Sequence, residues 1–259
     1  MTAVIRQIYR YPLKGLSAEP LDRVPLAIGR CLPQDRRFAI TLGLAQFDPA
    51  QPRWLAKINF IMLMRDDKLA RLSTQFDPRS DLLTITEGGV VLLEARLSDP
   101  EGCRDVARFF EDFLGETVAR PLRVVEALNH AFGDARPKSN ASTGQYVSLI
   151  NLASVCDLEG KLGVTIDPIR FRANVYFNGL PAWEEQEWVK PEQVLAVGTA
   201  RVRVVAPITR CAATEVNPET AIRDIAMVAE LKRHYGHTIM GVYAEVVGAG
   251  EIGVGDQIV

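Results

Sequence analysis

The sequence is poor in the residues and patterns that mark several large functional classes. Only three histidines (His130, His234, His237) and four cysteines (Cys31, Cys103, Cys156, Cys211) occur in 259 residues. The cysteines lie 72, 53 and 55 residues apart, no Cys-x-x-Cys occurs, and no histidine stands at zinc-finger spacing from any of them. A structural zinc site is therefore excluded on spacing. A disulfide framework is not expected either, because the N-terminus has no export signal, so four reduced thiols in a cytoplasmic protein are expected. Long apolar runs are also missing. Arg6, Arg10 and Lys14 interrupt the N-terminal stretch, which leaves neither a signal peptide nor a membrane-spanning helix. Neither charge is in excess. Thirty Lys and Arg face thirty-two Asp and Glu, too few cations to displace counterions along a nucleic acid. Gly-x-x-x-x-Gly-Lys-Ser/Thr and Gly-x-Ser-x-Gly are absent and no Gly-x-Gly-x-x-Gly opens a helix, which removes the corresponding nucleotide cradles and the serine nucleophile elbow.

What is present describes an ordinary globular chain. Hydrophobic residues make up 47% and charged residues 24%, enough apolar surface for a large core without staples. The first ninety residues read mostly as strands: Val4 to Tyr11, Leu21 to Ile28 (broken by Pro25), Arg37 to Leu42, Phe60 to Met64, and Leu82 to Thr86 turning at Gly88-Gly89 into Val90 to Leu93. Helices are few. Asp99-Pro100 supplies an N-cap and first-turn proline, and Cys103, Val106, Phe110, Phe113 and Leu114 then recur at helical spacing until Gly115. Leu152 to Leu162 before Gly163, and Asp224 to Tyr235 before Gly236, are the other two candidates. Arg201 to Val205, Val175 to Phe177 and Gly241 to Val247 read as strands, and Ile252 to Ile258 as a turn between short strands. The polar segment from His130 to Gly144 reads as a loop near a domain boundary. The expected fold class is mainly β with a few helices (α+β), built as an N-terminal β-barrel-like domain over residues 1–120 and a second β domain over 121–259.

Chemistry concentrates in Ala206-Pro-Ile-Thr-Arg-Cys-Ala-Ala-Thr-Glu-Val-Asn-Pro218. Cys211 follows a strand and an arginine. In a cleft, the adjacent guanidinium would favour the thiolate, the form that binds metals and attacks electrophiles. The competing reading is a small buried hydrophobe. Lys14 in Tyr11-Pro-Leu-Lys-Gly15, Asp35-Arg36-Arg37, and Arg170-Phe-Arg172-Ala-Asn174 place further cations at strand ends. Converging on one pocket they would suit a phosphate or another polyanion; left apart they are solvated charges. Trp183-Glu184-Glu185 with Trp188 reads as a lid or as a loop packed on the barrel, and Glu184 to Glu187 as a solvated acidic face.

The same residues resemble a known family. Arg170-Phe-Arg-Ala-Asn174, Trp183-Glu-Glu with Trp188, Thr209-Arg-Cys211 with Thr214, Val216 and Pro218, then Gly241-Val-Tyr243 and Gly253-Val-Gly-Asp256 are similar in order and spacing to the MOSC domain. Tyr11-Pro-Leu-Lys-Gly15 and Asp35-Arg-Arg-Phe38 resemble the β-barrel domain that precedes it in two-domain members, among them the mitochondrial amidoxime-reducing components and bacterial relatives. The resemblance implies a molybdenum cofactor, a metal–pyranopterin, with Cys211 as the protein's metal ligand and catalytic residue. It further implies that Lys14, Arg36, Arg172, Asn174, Thr209 and Arg210 hold the pterin and phosphate, with Asn151 and Ser154 as contacts at a helix N-terminus. The implied activity is reduction of N-hydroxylated small molecules by oxygen-atom transfer. The cysteines are too few for an iron–sulfur domain, so electrons would come from a separate flavin, iron–sulfur or haem protein. The alternative is a non-enzymatic carrier of the cofactor, or of sulfur, on Cys211. Asp35 and Glu215 are the nearest candidates for an acid. The sequence departs from the family at Phe47 to Trp54, where relatives show Thr-x-Arg, and at Ser139 to Tyr146.

Overall fold

The computed structural model describes residues 2–43, 45–127, 129–135, 144–190 and 193–259. Its strands are β1 (Ala3–Arg10), β2 (Glu19–Leu21), β3 (Arg23–Leu26), β4 (Phe38–Thr41), β5 (Leu72–Asp77), β6 (Leu82–Glu87), β7 (Val90–Arg96), β8 (Arg123–Glu126), β9 (Val147–Asn151), β10 (Val175–Asn178), β11 (Val194–Val197), β12 (Ala200–Thr209), β13 (Ile239–Gly248), β14 (Gly250–Gly253) and β15 (Gln257–Ile258). The helices are α1 (Pro100–Leu114), α2 (Leu152–Leu162) and α3 (Met227–Tyr235). Seven strands close a barrel in the order β1-β10-β9-β13-β12-β11-β15 and back to β1, with β2 attached outside the ring to β1. Only β9 and β10 run parallel; every other pair in the ring is antiparallel. The mixed α+β class expected from the sequence is therefore found, with a closed barrel at its centre.

Alternation of side chains builds two layers of core from the same strands. Val147 and Leu149 of β9, Val175 and Phe177 of β10, and Val242, Ala244 and Val246 of β13 fill the interior. Their neighbours Ile150 and Tyr176 point outward, and so does Met240 because the strand's alternation is broken at the left-handed Gly241; α2 and α3 cover them through Val155, Leu158, Met227 and Leu231. A separate core lies in the N-terminal half. There the β5-β6-β7 meander, the β4–β8 pair and α1 bury Phe38, Phe76, Leu83, Ile85, Val106 and Phe110. Strand β1 crosses between the two parts: it belongs to the first few residues yet pairs with β10 and β15.

The helix signals are found in place. The Asp99 side chain accepts from Glu101 N (3.0 Å) and caps α1. Asn151 accepts from Ala153 N (3.1 Å) and caps α2, and Gly163 and Gly236 close α2 and α3 at φ 69° and 75°. Helix α3 starts at Met227 rather than Asp224, because the Asp224 carboxylate is taken by Arg170 and Asn217 instead of capping. Phe60 to Met64 is not a strand. Phe60 makes one bridge to Thr41, after which the chain turns at Met62, whose carbonyl accepts from Arg65 and Asp66; a short apolar run cannot by itself tell a strand from a buried turn. Strands β5, β8, β9 and β11 are not among the elements expected from the sequence. Residues 136–143 of the expected His130–Gly144 loop, and most of the divergent Ser139 to Tyr146 segment, lie outside the described residues.

Closing the barrel brings β13 very near β9. At Gly241 (φ +78°) a Cβ would lie 2.4 Å from Leu149 O and 2.6 Å from Ile150 Cγ1. Gly241→Ala therefore combines a left-handed alanine with a backbone clash, and is expected to cost about 2–4 kcal/mol. Thermal denaturation should show a midpoint lower by roughly 5–15 °C; an unchanged midpoint would contradict this packing.

Candidate functional site

A cavity of about 420 Å³ lies at the end of the barrel where β12 finishes, walled by the barrel on one side and by loops of the N-terminal half on the other. Cys211, Thr209 and Arg210 enter from the end of β12, Arg172 and Asn174 from the segment before β10, and Lys14 and Arg36 from the turns after β1 and before β4. The structure thus brings together seven of the residues carried over from the family resemblance. Asn151 and Ser154 are not among them. They sit fully buried at the head of α2, where Asn151 Nδ2 donates to Pro181 O (2.7 Å) and Ser154 Oγ donates to the Glu185 carboxylate (2.9 Å). The anion that this helix end attracts is the chain's own Glu185. That residue is buried, a correction to the solvated acidic face expected for Glu184 to Glu187; Glu184 and Glu187 are exposed. Trp188 stacks on Phe177 at 5.2 Å, so this segment is a loop packed on the barrel.

Within the cavity each cation is placed by a local device. Arg36 and Arg172 both adopt left-handed backbone (φ 51° and 52°), a conformation that costs a non-glycine residue energy and persists only where the surroundings enforce it. Their guanidiniums lie 4.8 and 4.5 Å from the centre of the Tyr11 ring. Arg36 pairs with Asp35 and donates to Arg172 O (3.0 Å), while Asp35 also accepts from Tyr11 N (2.8 Å). Burial works against the Arg36 charge, but Asp35 beside it keeps its pKa above the ordinary value. Burial lowers the pKa of Arg172, and the charge of Arg36 lowers it further. Burial also pushes the Tyr11 hydroxyl up to about 12. Buried Lys14 donates to Phe132 O (2.9 Å) and pairs with Asp134; desolvation pulls its pKa down and Asp134 partly restores it.

Cys211 is extended (φ −128°, ψ 172°) at the start of a short 3-10 turn, Ala212–Glu215. Its carbonyl accepts from Thr214 N (3.0 Å) and Thr214 Oγ1 (2.9 Å), which fixes the backbone under the thiol. The neighbouring Arg210 spends its donors on Met240 O (2.8 Å) and Phe171 O (2.7 Å). It is a braced positive charge rather than a free hand. Asn174 is spent likewise. Its Oδ1 accepts from Ser148 N (3.1 Å) and Oγ (2.9 Å), and its Nδ2 donates to Tyr9 O (3.1 Å). Lys57, Asp134 and Tyr243 also line the cavity; Tyr243 belongs to the Gly241-Val-Tyr243 motif, whereas no motif marks Lys57 or Asp134 in the sequence. Burial opposes the charge of Lys57, but the Cys211 thiol, with Asp134 and Tyr243, holds the ammonium above its usual range. Of the two candidate acids, Asp35 is committed to Arg36 and Tyr11, and Glu215 does not line the cavity.

Six cationic side chains face this space (Lys14, Arg36, Lys57, Arg170, Arg172, Arg210) against two carboxylates, Asp35 and Asp134. Such a lining favours an anion. Among the described residues no group of three His, Cys, Asp or Glu could hold a metal. The lining offers two thiols, Cys211 and Cys31, too few donors for a bare ion, and Cys211 fits a metal delivered within its own chelate. All four cysteines are unpaired. Cys31 also lines the cavity, and burial, reinforced by the charge of Asp35, pushes its thiol up to about 12. At pH 8 only about one Cys31 in ten thousand is then a thiolate. Iodoacetamide at that pH should leave Cys31 unlabelled in the folded protein and label it after denaturation, as peptide mass spectrometry would show. Labelling of native Cys31 as fast as denatured Cys31 would contradict its burial.

Known proteins match this chain over both halves. Human molybdenum cofactor sulfurase is 21% identical over 294 residues, spanning 98% of this chain and 32% of its own length. The chain thus spans about a third of the length of the sulfurases it matches. Rat mitochondrial amidoxime reducing component 2 is 24% identical over 247 residues, covering 77% of this chain and 72% of the relative. Among solved structures, the YuaD protein of Bacillus subtilis aligns with all of this chain and 94% of its own, at 15% identity and a TM-score of 0.45. No helix among the described residues is long and apolar enough to cross a membrane. The MOSC domain pattern matches residues 128–259, just over half of the sequence, and takes in β9 to β15 with the Cys211 turn; the chain belongs to the MOSC domain family.

Proposed function

We propose that the cavity binds a molybdenum cofactor, a metal–pyranopterin with a terminal phosphate, and that the protein reduces N-hydroxylated small molecules. The observation that carries this reading is the convergence of a cation-lined cavity on one fixed thiol. When bound, the cofactor supplies two-electron oxygen-atom transfer. The net reaction is R–NH–OH + 2 e⁻ + 2 H⁺ → R–NH₂ + H₂O, in which the N–O bond breaks and the oxygen leaves as water. The electrons come from a separate flavin, iron–sulfur or haem protein.

The chain's own residues bind and orient. Lys14, Arg36 and Arg172 offer buried or half-buried positive charge to the phosphate and pterin, with Arg36 and Arg172 steadied against Tyr11. Cys211 offers its sulfur from a turn pinned by Thr214. Thr209 lines the cavity two residues before it, and Arg210 and Asn174 hold the surrounding backbone in place. The division into residues 1–120 and 121–259 belongs to the same proposal, with β1 lent by the first part to the barrel of the second. A reducing, cytoplasmic compartment suits the four unpaired thiols.

The test is molybdenum per chain, measured by mass spectrometry on protein made in a host that produces the cofactor. Wild type should carry close to one metal, and Cys211→Ala and Arg172→Ala at least tenfold less. Wild type should also reduce benzamidoxime with an artificial electron donor. A wild type that holds no metal even after loading contradicts the reading. Metal retained without any reductase activity would favour the carrier.

A further inference from the structure

Four of the six cations facing the cavity are committed to partners inside the protein. Lys14 holds Asp134, Arg36 holds Asp35, Arg170 holds Asp224, and Arg210 is spent on two carbonyls. Arg172 rests on Tyr11. Lys57 is different in kind. It comes from the N-terminal half and lines the same cavity as Cys211, and among the described residues no carboxylate forms an ion pair with it, although Asp134 in that cavity favours its charge. The backbone beneath it is firmly held. Phe60 N donates to Lys57 O (3.1 Å), Asn59 Nδ2 to Ala56 O (2.9 Å), and Leu42 N to Asn59 O (2.9 Å), which ties the 3-10 turn Lys57–Asn59 to the end of β4. A fixed base carrying an ammonium without an ion pair, in the cavity that Cys211 lines, is the arrangement of a ligand-selecting residue. Lys14, Arg36 and Arg172 are assigned to the cofactor above, and Arg170 and Arg210 are held by Asp224 and by main-chain carbonyls.

We propose that Lys57 determines specificity by holding an anionic group of the substrate beside Cys211. The substrates favoured are then N-oxygenated compounds with a carboxylate next to the N–O group, such as oximes of 2-oxo acids or N-hydroxy amino acids, over neutral ones. A carboxylate there lies within a few ångströms of the reacting nitrogen, so one ammonium at the Cys211 end of the cavity reaches it while the N–O group faces the sulfur. Lys suits this task, since its three donors rotate to meet ligands of differing shape. For an oxime the reduction is R₂C=N–OH + 2 e⁻ + 2 H⁺ → R₂C=NH + H₂O, with the electrons from the external redox protein; Lys57 supplies charge and orientation only. The substrate class rests on the molybdoenzyme reading above. The charge selectivity at Cys211 does not.

Two alkylating agents of nearly equal size separate these claims without any metal. Iodoacetate is anionic and iodoacetamide neutral, and the ratio of their rates at one thiol cancels that thiol's own reactivity. Full-length protein made without cofactor is alkylated with each, and labelling is followed by peptide mass spectrometry at Cys211 and at exposed Cys156, the internal reference. Lys57→Met should lower the iodoacetate-to-iodoacetamide ratio at Cys211 roughly fivefold, about what one unit charge a few ångströms away contributes in a water-like medium. The Cys156 ratio should stay constant, Lys57→Arg should keep most of the Cys211 ratio, and the difference should fade in high salt. A Lys57→Met ratio within twofold of wild type, or an equal fall in Lys57→Arg, overturns the assignment. In cofactor-loaded protein, Lys57→Met should raise KM for pyruvate oxime at least fivefold and leave KM for neutral acetone oxime within twofold. Equal changes for both overturn the substrate class. Protein that carries no molybdenum ends the molybdoenzyme reading, and the alkylation ratio still decides the role of Lys57.

Discussion

Everything at the cavity depends on the pairing of β1 with β10. Tyr9 N donates to Asn174 O (2.7 Å), the Asn174 amide returns a bond to Tyr9 O (3.1 Å), and Tyr11 Oη donates to Ala173 O (3.2 Å). Ser148 of β9 joins through the buried Asn174 side chain, so three strands meet in one satisfied polar knot. Because β1 is a stave of the barrel, the chain leaving it at Tyr11 emerges next to Arg172 and turns at once into Lys14. The N-terminal half thereby delivers cations to a space whose thiol comes from the C-terminal half. Neither part could build the site alone.

That junction also explains how so many positive charges share a small volume. Buried cations repel one another and lose hydration, a cost that hydrogen bonds and nearby carboxylates must offset. Asp35 serves Arg36, Asp134 serves Lys14, Asp224 serves Arg170, and main-chain carbonyls serve Arg210. Desolvation still lowers the pKa of Lys14, Arg172 and Arg210, which shows the compensation to be incomplete. An arriving anion supplies what is missing. The site is therefore arranged for its ligand in advance, with strain held in the left-handed Arg36 and Arg172.

Much of this was legible in the sequence where the chemistry is local. The cap at Asp99 and the stops at Gly163 and Gly236 act within one turn, so the helices could be read directly. Cys211 and the cations of Tyr11 to Gly15, Asp35-Arg36 and Arg170 to Asn174 were visible as types, and the family resemblance supplied the statement that they converge. Other features depended on tertiary contacts. Lys57 sits in Trp54-Leu-Ala-Lys-Ile-Asn59 with no motif around it, and only the docking of its turn on β4 brings it into the cavity that Cys211 lines. Asn151 and Ser154 looked suited to an anion because they head a helix; the loop that fills that end with Glu185 lies thirty residues on. Phe60 to Met64 read as a strand because apolar burial looks the same in a ladder and in a cavity wall.

Metal ligation by Cys211 is the claim on which the functional reading stands, and X-ray absorption at the molybdenum edge tests it most directly. Sulfur neighbours of the metal would be counted in wild type and in Cys211→Ser, each loaded with cofactor to the same occupancy. The serine variant is expected to show one sulfur fewer, replaced by a lighter neighbour. The same number of sulfurs in both would contradict ligation by Cys211 and leave the cationic cavity as an anion site with a different ligand.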